Sequence, residues 1–326
     1  MSTAYRAEVR RVMRYPGTIG IVLLIIVAAV NAVLQPGFFA MSSVSSLFDV
    51  ALPLILVALA QTLVILTGGI DLSVGGVLSL VDVFIVIAQG HLGFLAAAVI
   101  AVALGGLIGL MNGLTVAYLR VQPLVATLAM SFVATGVALL LLPEPGGSIA
   151  GSIASMYSTN YLGLPFPVLA LVGVIVLWWA ATVRYRRWIY ALGGSETNAL
   201  RNGVPVQRMR VWAYVGAGVL SGLAGVALTI EVASGDASVG ASYLLPSIAA
   251  VVLGGTRLTG GHGGIVGSIA GALVLTIISN IVFFAGIPSY FQTIVSSVIV
   301  LAGIASASAL IGFDRERARV PRRGTS

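Results

Sequence analysis

The segment LVILTGGIDLSVGG, residues 63–76, places one carboxylate, Asp71, in a glycine-rich break between two apolar runs. Each run is long enough to enter a lipid bilayer. An aspartate at the bilayer centre costs roughly 2.5 to 3.5 kcal/mol on insertion scales, and such side chains usually lie at a helix end, in a cavity or on a pathway. The segment therefore indicates a membrane protein and makes transport the first function to consider.

The composition predicts a membrane protein with many spans. Hydrophobic residues make up 59% of the 326 positions and charged residues only 8%, a balance that the surface of a water-soluble protein could not carry. Apolar runs of about 20 residues, enough to cross roughly 30 Å of hydrocarbon, predict an all-α polytopic fold. We expect about ten transmembrane helices in a single domain over 1–326. The runs are 17–34, 47–66, 72–90, 93–118, 123–142, 164–183, 211–230, 239–256, 265–286 and 290–311.

The distribution of arginine predicts the orientation. The chain has no lysine, and its 17 basic residues precede the first run, follow the last run or lie in alternate loops. With ten spans all of these arginines fall on one side, so the positive-inside rule places both termini in the cytoplasm. The basic cytoplasmic segments would be the N-terminus 1–16, the loop 184–210 and the tail 312–326.

The net charge of +7 also raises the question of a nucleic-acid partner. Here the arginines are spread over the ends of membrane spans and are not clustered on a soluble domain. This distribution predicts contact with membrane lipid and no binding of nucleic acid.

Missing residue types exclude several kinds of chemistry. The absence of cysteine excludes disulfides and thiolate nucleophiles. No metal-binding motif accompanies His91 or His262, so we expect no metal and no cofactor. A nucleotide-binding loop of the GxxxxGK[ST] type needs a lysine on the phosphates, so another chain must hydrolyse ATP if ATP drives this protein. The sequence also lacks a paired nucleophile and base, and we expect no enzymatic activity from this chain alone.

Asp71 and Asp82 are eleven residues apart, which leaves them about 20° out of alignment on a helix. With Gly75 and Ser79 they form a small and polar stripe, which should face the protein interior or a water-filled path. Asp71 has two interpretations: an N-cap of the third span, which we favour, or a direct contact with a substrate. Asp82 is either a buried hydrogen-bonded acid or a pathway residue.

Neutral polar residues in or at the ends of spans suit the binding of hydroxyl groups without charge, although each is individually more often an interhelical hydrogen bond. Combined with the polar stripe, they give the set of candidate pathway residues. These are Gln61, Ser79, Asp82, Asn112 and Asn280.

A weak internal repeat occurs at an offset of 192 residues. LTGG at 66–69 recurs at 258–261, and VG at 74–75 recurs at 266–267, which gives six identities in eleven aligned positions. Proline also interrupts the preceding run in both halves. Paired Pro/Gly-interrupted spans in two halves point to the binding site of a transporter, while chance similarity of low-complexity sequence is the alternative.

Residues 195–203 are typical of a short capped helix in the basic cytoplasmic loop. Ser195 can cap its start, Glu196 complements the helix dipole, and Gly203 can end it in a left-handed turn. A helix of two turns is not stable alone in water. It therefore lies either against a partner protein or at the membrane surface.

Several segments resemble the signatures of permease subunits of bacterial ATP-binding-cassette importers for ribose, xylose, arabinose, galactosides and related compounds. The resemblance is collinear from about residue 37 to 311. It is carried by ILTGGIDLSVG at 65–75, RVQP at 120–123, ATL at 126–128, YALGG at 190–194, AAVVLGGT at 249–256 and PSYFQ at 288–292.

The resemblance implies a multi-pass protein of the bacterial cytoplasmic (inner) membrane that forms the translocation path for a monosaccharide or a related small polar solute. Its implied partners are a second permease subunit, identical or related, two ATPase subunits and an extracytoplasmic solute-binding protein. The cytoplasmic helix would then couple to an ATPase subunit through Ser195, Glu196, Thr197, Asn198, Arg201 and Gly203. The family motif at the helix break contributes Gly68, Gly69, Asp71, Ser73 and Gly75.

The chain departs from the family pattern at three places. Relatives commonly show Asn-Glu, small residues and Arg-Leu-Ser-Gly where this chain has SETNALRNG at 195–203, and acidic residues where it has LLP at 244–246; Asp82 replaces a usually small neutral residue. The solute and the ATPase contacts therefore stay open. The alternative function is an ion-coupled secondary transporter that uses Asp71 and Asp82 as a proton relay without a partner ATPase.

Overall fold

A computed structural model describes residues 17–157, 159–161 and 163–287, together with residues 291, 294 and 298. Almost all of its regular structure is helical. The helices are α1 (Thr18–Leu34), α2 (Met41–Leu66), α3 (Val74–Leu92), α4 (Phe94–Ala117), α5 (Pro123–Leu141), α6 (Gly151–Tyr157), α7 (Phe166–Thr182), α8 (Arg186–Gly194), α9 (Glu196–Arg201), α10 (Val206–Val232), α11 (Ala241–Leu253) and α12 (Ile265–Phe284). A two-residue hairpin, β1 (Asn160–Tyr161) and β2 (Leu164–Pro165), precedes α7.

The prediction of a polytopic all-α membrane protein is confirmed. In the described residues, six helices are long and apolar enough to cross a membrane, and a seventh span results if α7 and α8, which meet at a 77° bend, are counted together. The apolar runs 17–34 and 239–256 form shorter helices of 17 and 13 residues. The run 290–311 and both chain termini lie outside the continuously described residues, so the predicted tenth span and orientation stay predictions.

Helix α2 lies at the centre of the molecule. Its most apolar window is 89% buried, compared with 22% for α4 and 17% for α5. A helix that is hydrophobic all round needs burial on all sides, and α2 obtains it from α10, α11 and α12, whose buried residues join the same core. Helices α4 and α5 instead expose apolar faces, as expected for surfaces that meet lipid or another chain.

Glycines allow α4 and α10 to pack with their backbones in contact. A methyl group on Gly109 would meet the carbonyl oxygen of Tyr214, and one on Gly105 would meet that of Gly218. Such close approach is how small residues stabilise helix pairs in membranes. It fixes the position of Tyr214, which extends toward the break between α2 and α3.

The segment 143–163 contains the short helix α6 and part of the hairpin. Gly146 and Gly235 exchange backbone hydrogen bonds of 2.9 Å, and Ile149 N–H donates to the Ala233 carbonyl oxygen at 3.3 Å. These bonds fasten the segment to the connection between α10 and α11.

Candidate functional site

The chain breaks between α2 and α3 at the family motif. Gly68 has a φ of +85° in the left-handed region, and Asp71 is buried, with 1% of its surface exposed. The Asp71 Oδ1 accepts hydrogen bonds from Ser73 N–H at 2.8 Å and from Ser73 Oγ at 2.6 Å. The favoured prediction that Asp71 caps α3 is wrong, because this Asx turn delays the helix to Val74 and leaves Ser73 at the N-cap position.

Polar side chains from three helices hold the break in place. Gln61 Nε2 on α2 donates to the Asp71 carbonyl oxygen at 2.5 Å. Asn112 Nδ2 on α4 donates to Ser73 Oγ at 2.8 Å, and Leu72 N–H donates to Thr127 Oγ1 on α5 at 2.9 Å. The structure thus brings two of the candidate pathway residues, Gln61 and Asn112, to the break, where they bind backbone and side-chain groups of the motif.

Tyr214 lies beside the break and was not among the predicted site residues. A methyl group on Gly69 would stand 2.7 Å from the Tyr214 hydroxyl oxygen, which explains why the motif needs glycine there. Among the described residues, the Tyr214 Oη and the Asn112 Oδ1 are buried and have no hydrogen-bond partner. The sequence signal for Tyr214 is a single tyrosine among small and apolar residues of the seventh predicted run.

The stripe on α3 faces the protein interior, as predicted. Ser79 Oγ accepts a hydrogen bond from Gly240 N–H at 2.9 Å, and a methyl group on Gly75 would collide with the Gly240 carbonyl oxygen. The Asp82 Oδ1 accepts from Thr229 Oγ1 at 2.7 Å, and its Oδ2 accepts from Asp236 N–H at 2.8 Å. Of its two interpretations, Asp82 fits the buried hydrogen-bonded acid, which anchors the connection between α10 and α11.

The candidate residues therefore lie at three different places. Gln61 and Asn112 bind the break, whereas Ser79 and Asp82 bind the connection between α10 and α11. Asn280 on α12 instead accepts a hydrogen bond from Asn31 Nδ2 on α1 at 3.3 Å. Asp71 and Asp82, the proposed proton relay of the alternative function, bind different partners and share none of the hydrogen bonds described above.

The short capped helix forms where the sequence predicted it. Ser195 Oγ accepts a hydrogen bond from Asn198 N–H at 3.3 Å at the start of α9, and Gly203 has a φ of +76° just after its end. Glu196 forms an ion pair of 2.5 Å with Arg210. Ala199 points inward, while the predicted coupling residues Thr197, Asn198 and Arg201 are exposed. The inward side packs on a small apolar cluster of Leu192, Val204, Val206 and Met209.

The loop between α11 and α12 carries His262, which the sequence did not assign to a site. Burial, and then the neighbouring positive charge of Arg257, lower the pKa of His262 from its ordinary value. The Arg257 N–H donates to the His262 carbonyl oxygen at 2.9 Å. The backbone bond to Arg257 gives His262 a structural place in the loop.

Comparison with known proteins supplies the family. Residues 43–303 match a family model described as branched-chain amino acid transport system / permease component. The chain is 35% identical over 293 residues to the ribose import permease protein of Escherichia coli, covering 87% of this chain and 91% of that protein. It is 35% identical over 299 residues to the ribose import permease protein of Bacillus subtilis, covering 88% and 90%.

A third relative is the fructose import permease protein of Bifidobacterium longum, which is 31% identical over 317 residues, covering 92% of this chain and 93% of that protein. The matches cover most of the chain, including the break, α8, α9 and the loop before α12. They confirm the resemblance to importer permeases and place the protein in the cytoplasmic membrane. The chain therefore belongs to the family described as branched-chain amino acid transport system / permease component.

Proposed function

We propose that this protein is the membrane subunit of an ATP-driven importer and forms the translocation path for a monosaccharide. The solute class follows the relatives, whose names specify ribose and fructose. The description of the family model instead names branched-chain amino acids as the solute. We favour a sugar because the three relatives described above, which align over about nine-tenths of their length, are named for the import of ribose or fructose.

The proposed coupling to an ATPase is supported by the way in which helix α9 is held in place. It has only six residues, which are too few to be stable alone. Three interactions stabilise it: the Ser195 cap, the ion pair between Glu196 and Arg210, and the packing of Ala199 in the apolar cluster. Its outward face is exposed and carries Thr197, Asn198 and Arg201 together with the apolar Leu200. A helix fixed in this way presents a rigid surface to a partner, and the absence of lysine leaves ATP hydrolysis to that partner.

The proposed complex contains two membrane subunits, two ATPase subunits and an extracytoplasmic binding protein that delivers the sugar. ATP binding favours one of two states of the complex, and its differential affinity shifts the path from one side of the membrane to the other. In this proposal 184–210 is the coupling loop, and the break at 67–73 lies on the path between the two faces.

Reconstitution in vesicles tests the proposal. The chain with its ATPase subunits and the loaded binding protein should take up sugar when ATP is supplied, and the purified chain alone should hydrolyse no ATP. Titration of the cognate binding protein with ribose, fructose and branched-chain amino acids identifies the solute class. Uptake driven by a proton gradient in vesicles that lack the ATPase would contradict the proposal.

A further inference from the structure

Three glycine pairs from distant parts of the sequence meet at one point. They are Gly68-Gly69 at the break after α2, Gly193-Gly194 at the end of α8, and Gly260-Gly261 in the loop between α11 and α12. The first and third pairs are the two copies of the internal repeat. The second pair ends the YALGG motif, immediately before the coupling helix α9. We call these three pairs the glycine junction.

The contacts within the glycine junction are between backbones. Gly261 N–H donates to the Leu66 carbonyl oxygen, the last of α2, at 3.1 Å. A methyl group on Gly193 would collide with this same carbonyl oxygen and with Gly261 N. A methyl group on Gly260 would stand 2.9 Å from Gly68 N and 3.0 Å from Gly193 Cα. No side chain separates the three segments, so none can move here without displacing the others.

A side-chain contact adds a second link on the same side of the molecule. Tyr190 Oη on α8 donates to the Gly263 carbonyl oxygen at 2.8 Å. This bond ties α8 to the loop before α12, two residues beyond Gly261. Helix α8 is therefore attached both to the break after α2 and to the break before α12.

From these contacts we infer that the glycine junction transmits movement of the coupling loop to both helix breaks at once, with Gly193 as its positioning residue. Helices α8 and α9 are joined through Ser195 alone, which is the C-cap of one and the N-cap of the other. A displacement of α9 by the ATPase reaches Gly193 within three residues. The displacement then acts on the Leu66 carbonyl oxygen and on Gly261, because these backbone contacts leave no room for a methyl group.

The inference rests on the proposed function and adds a specific mechanical element to it. The two repeat copies would then respond as a pair, because one coupling loop holds both. Packed interfaces respond in this way because they are not continuously deformable. The break after α2 carries Asp71 and its polar partners, so the junction connects the coupling loop to the motif itself.

Two adjacent glycines provide a matched pair of variants. Gly193→Ala inserts a methyl group into the junction, whereas Gly194→Ala adds the same group where no other atom lies within 4 Å. Both variants should assemble with the ATPase. In the Gly193→Ala complex, sugar uptake and the stimulation of ATP hydrolysis by the loaded binding protein should fall together by about 5- to 150-fold, the usual range of coupling between sites. The Gly194→Ala complex should match wild type within about twofold.

Spin labels provide a measurement that does not depend on the stability of Gly193→Ala. The chain has no cysteine, so cysteines introduced at Ala191 and Leu258, both exposed, are the only labelling sites. Their separation should be the same in the nucleotide-free and ATP-bound complexes, because the two segments move as one body. The separation between labels at Ala191 and Glu144, which lie on either side of α7 in the sequence, should change.

Wild-type uptake in the Gly193→Ala complex would overturn the inference, and so would a change in the separation of Ala191 and Leu258 on ATP binding. If Gly193→Ala does not assemble, the spin-label distance decides. Failure of the proposed function gives a different result, because the wild-type chain itself would then show no uptake dependent on the ATPase.

Discussion

At the scale of single residues, the carboxylates of Asp71 and Asp82 are used as acceptors for fixed donors. Asp71 accepts from a backbone N–H and a hydroxyl of Ser73, and Asp82 accepts from a hydroxyl and a backbone N–H on the other side of α3. A buried polar group is costly unless it is hydrogen-bonded. Both aspartates satisfy this condition by shaping the chain around them, which limits the groups that they could offer to a solute.

Asp82 provides a test of this structural role. In Asp82→Asn the amide oxygen can accept from Asp236 N–H, and the amide NH₂ can donate to Thr229 Oγ1, whose own proton can then be donated to the Gly225 carbonyl oxygen, 2.8 Å away. We expect this variant to fold and transport like wild type. Asp82→Ala removes the acceptor of the partly buried Asp236 N–H and of the buried Thr229 hydroxyl, and should lower the free energy of unfolding by about 1 to 3 kcal/mol.

The measurement is the melting temperature of both variants in detergent, together with sugar uptake by the reconstituted complex. If Asp82→Asn is as stable as wild type but loses transport, Asp82 acts on the pathway through its charge, and the structural interpretation is wrong.

At the scale of elements, the molecule joins helices by two different means. Helices α4 and α10 pack through glycines at van der Waals distance, whereas α9 is attached by one cap, one ion pair and a few apolar side chains. The first kind of contact contributes to the stability of the membrane domain. The second kind contributes little to it, since an exposed ion pair is worth about 0.2 to 1 kcal/mol, but it sets the position of the surface that would meet the ATPase.

The α4–α10 interface predicts a contrast between two glycines. Gly109→Ala places a methyl group against the Tyr214 carbonyl oxygen, whereas Gly136→Ala on α5 meets nothing within 4 Å. Overpacking of this kind costs about 1 to 3 kcal/mol, so Gly109→Ala should unfold at a lower temperature than wild type. Gly136→Ala should be neutral or slightly stabilising. Equal melting temperatures for the two variants would contradict the close packing of α4 on α10.

The ion pair between Glu196 and Arg210 predicts that exchanging the two charges restores part of the activity lost in a single variant. Glu196→Arg removes the pair with Arg210 and puts a positive charge at the positive end of the helix dipole, so transport and stimulated ATP hydrolysis should fall together. The double variant Glu196→Arg with Arg210→Glu restores the pair but not the dipole, and should recover part of both activities. The affinity of the binding protein for its sugar should not change in either variant, since that protein selects the solute outside the membrane. Unchanged transport in Glu196→Arg would remove α9 from the coupling step.

Substitutions at Gly203 change how α9 ends without changing its charge. Replacing it with valine disfavours the left-handed conformation that ends α9, where its φ is +76°. We expect Gly203→Val to weaken the complex with the ATPase while leaving the melting temperature of the membrane domain close to that of wild type. Alanine at the same position should have a smaller effect than valine, because β-branching adds to the strain. Co-purification of the ATPase with each variant provides the measurement.

At the scale of the whole molecule, apolar runs and local caps could be predicted from the sequence, and contacts between distant segments could not. Nine of the ten predicted runs are helical in the described residues, because the length of an apolar run needs no knowledge of its neighbours. The cap of α9 is also local. The partners of Asp82 and the position of Tyr214 depend on how α3, α4 and α10 pack, so composition gave no sign of them. The N-cap prediction for Asp71 failed because a turn between Asp71 and Ser73 competes with the helix.

The predicted orientation of the whole molecule rests on the positions of the arginines and is open to a direct test. Because the chain has no cysteine, a single cysteine at exposed Leu200 on α9 or at exposed Glu144 before α6 reports its own side of the membrane. Helix α7 lies between these two positions and is the predicted crossing between them. A membrane-impermeant thiol reagent applied to intact cells should therefore label the residue-144 cysteine and not the residue-200 cysteine, and inverted vesicles should give the opposite pattern. Crosslinkers placed at positions 196 to 202 should also reach the ATPase subunit. If position 200 is labelled from outside intact cells, the positive-inside assignment fails, and α9 cannot contact a cytoplasmic ATPase.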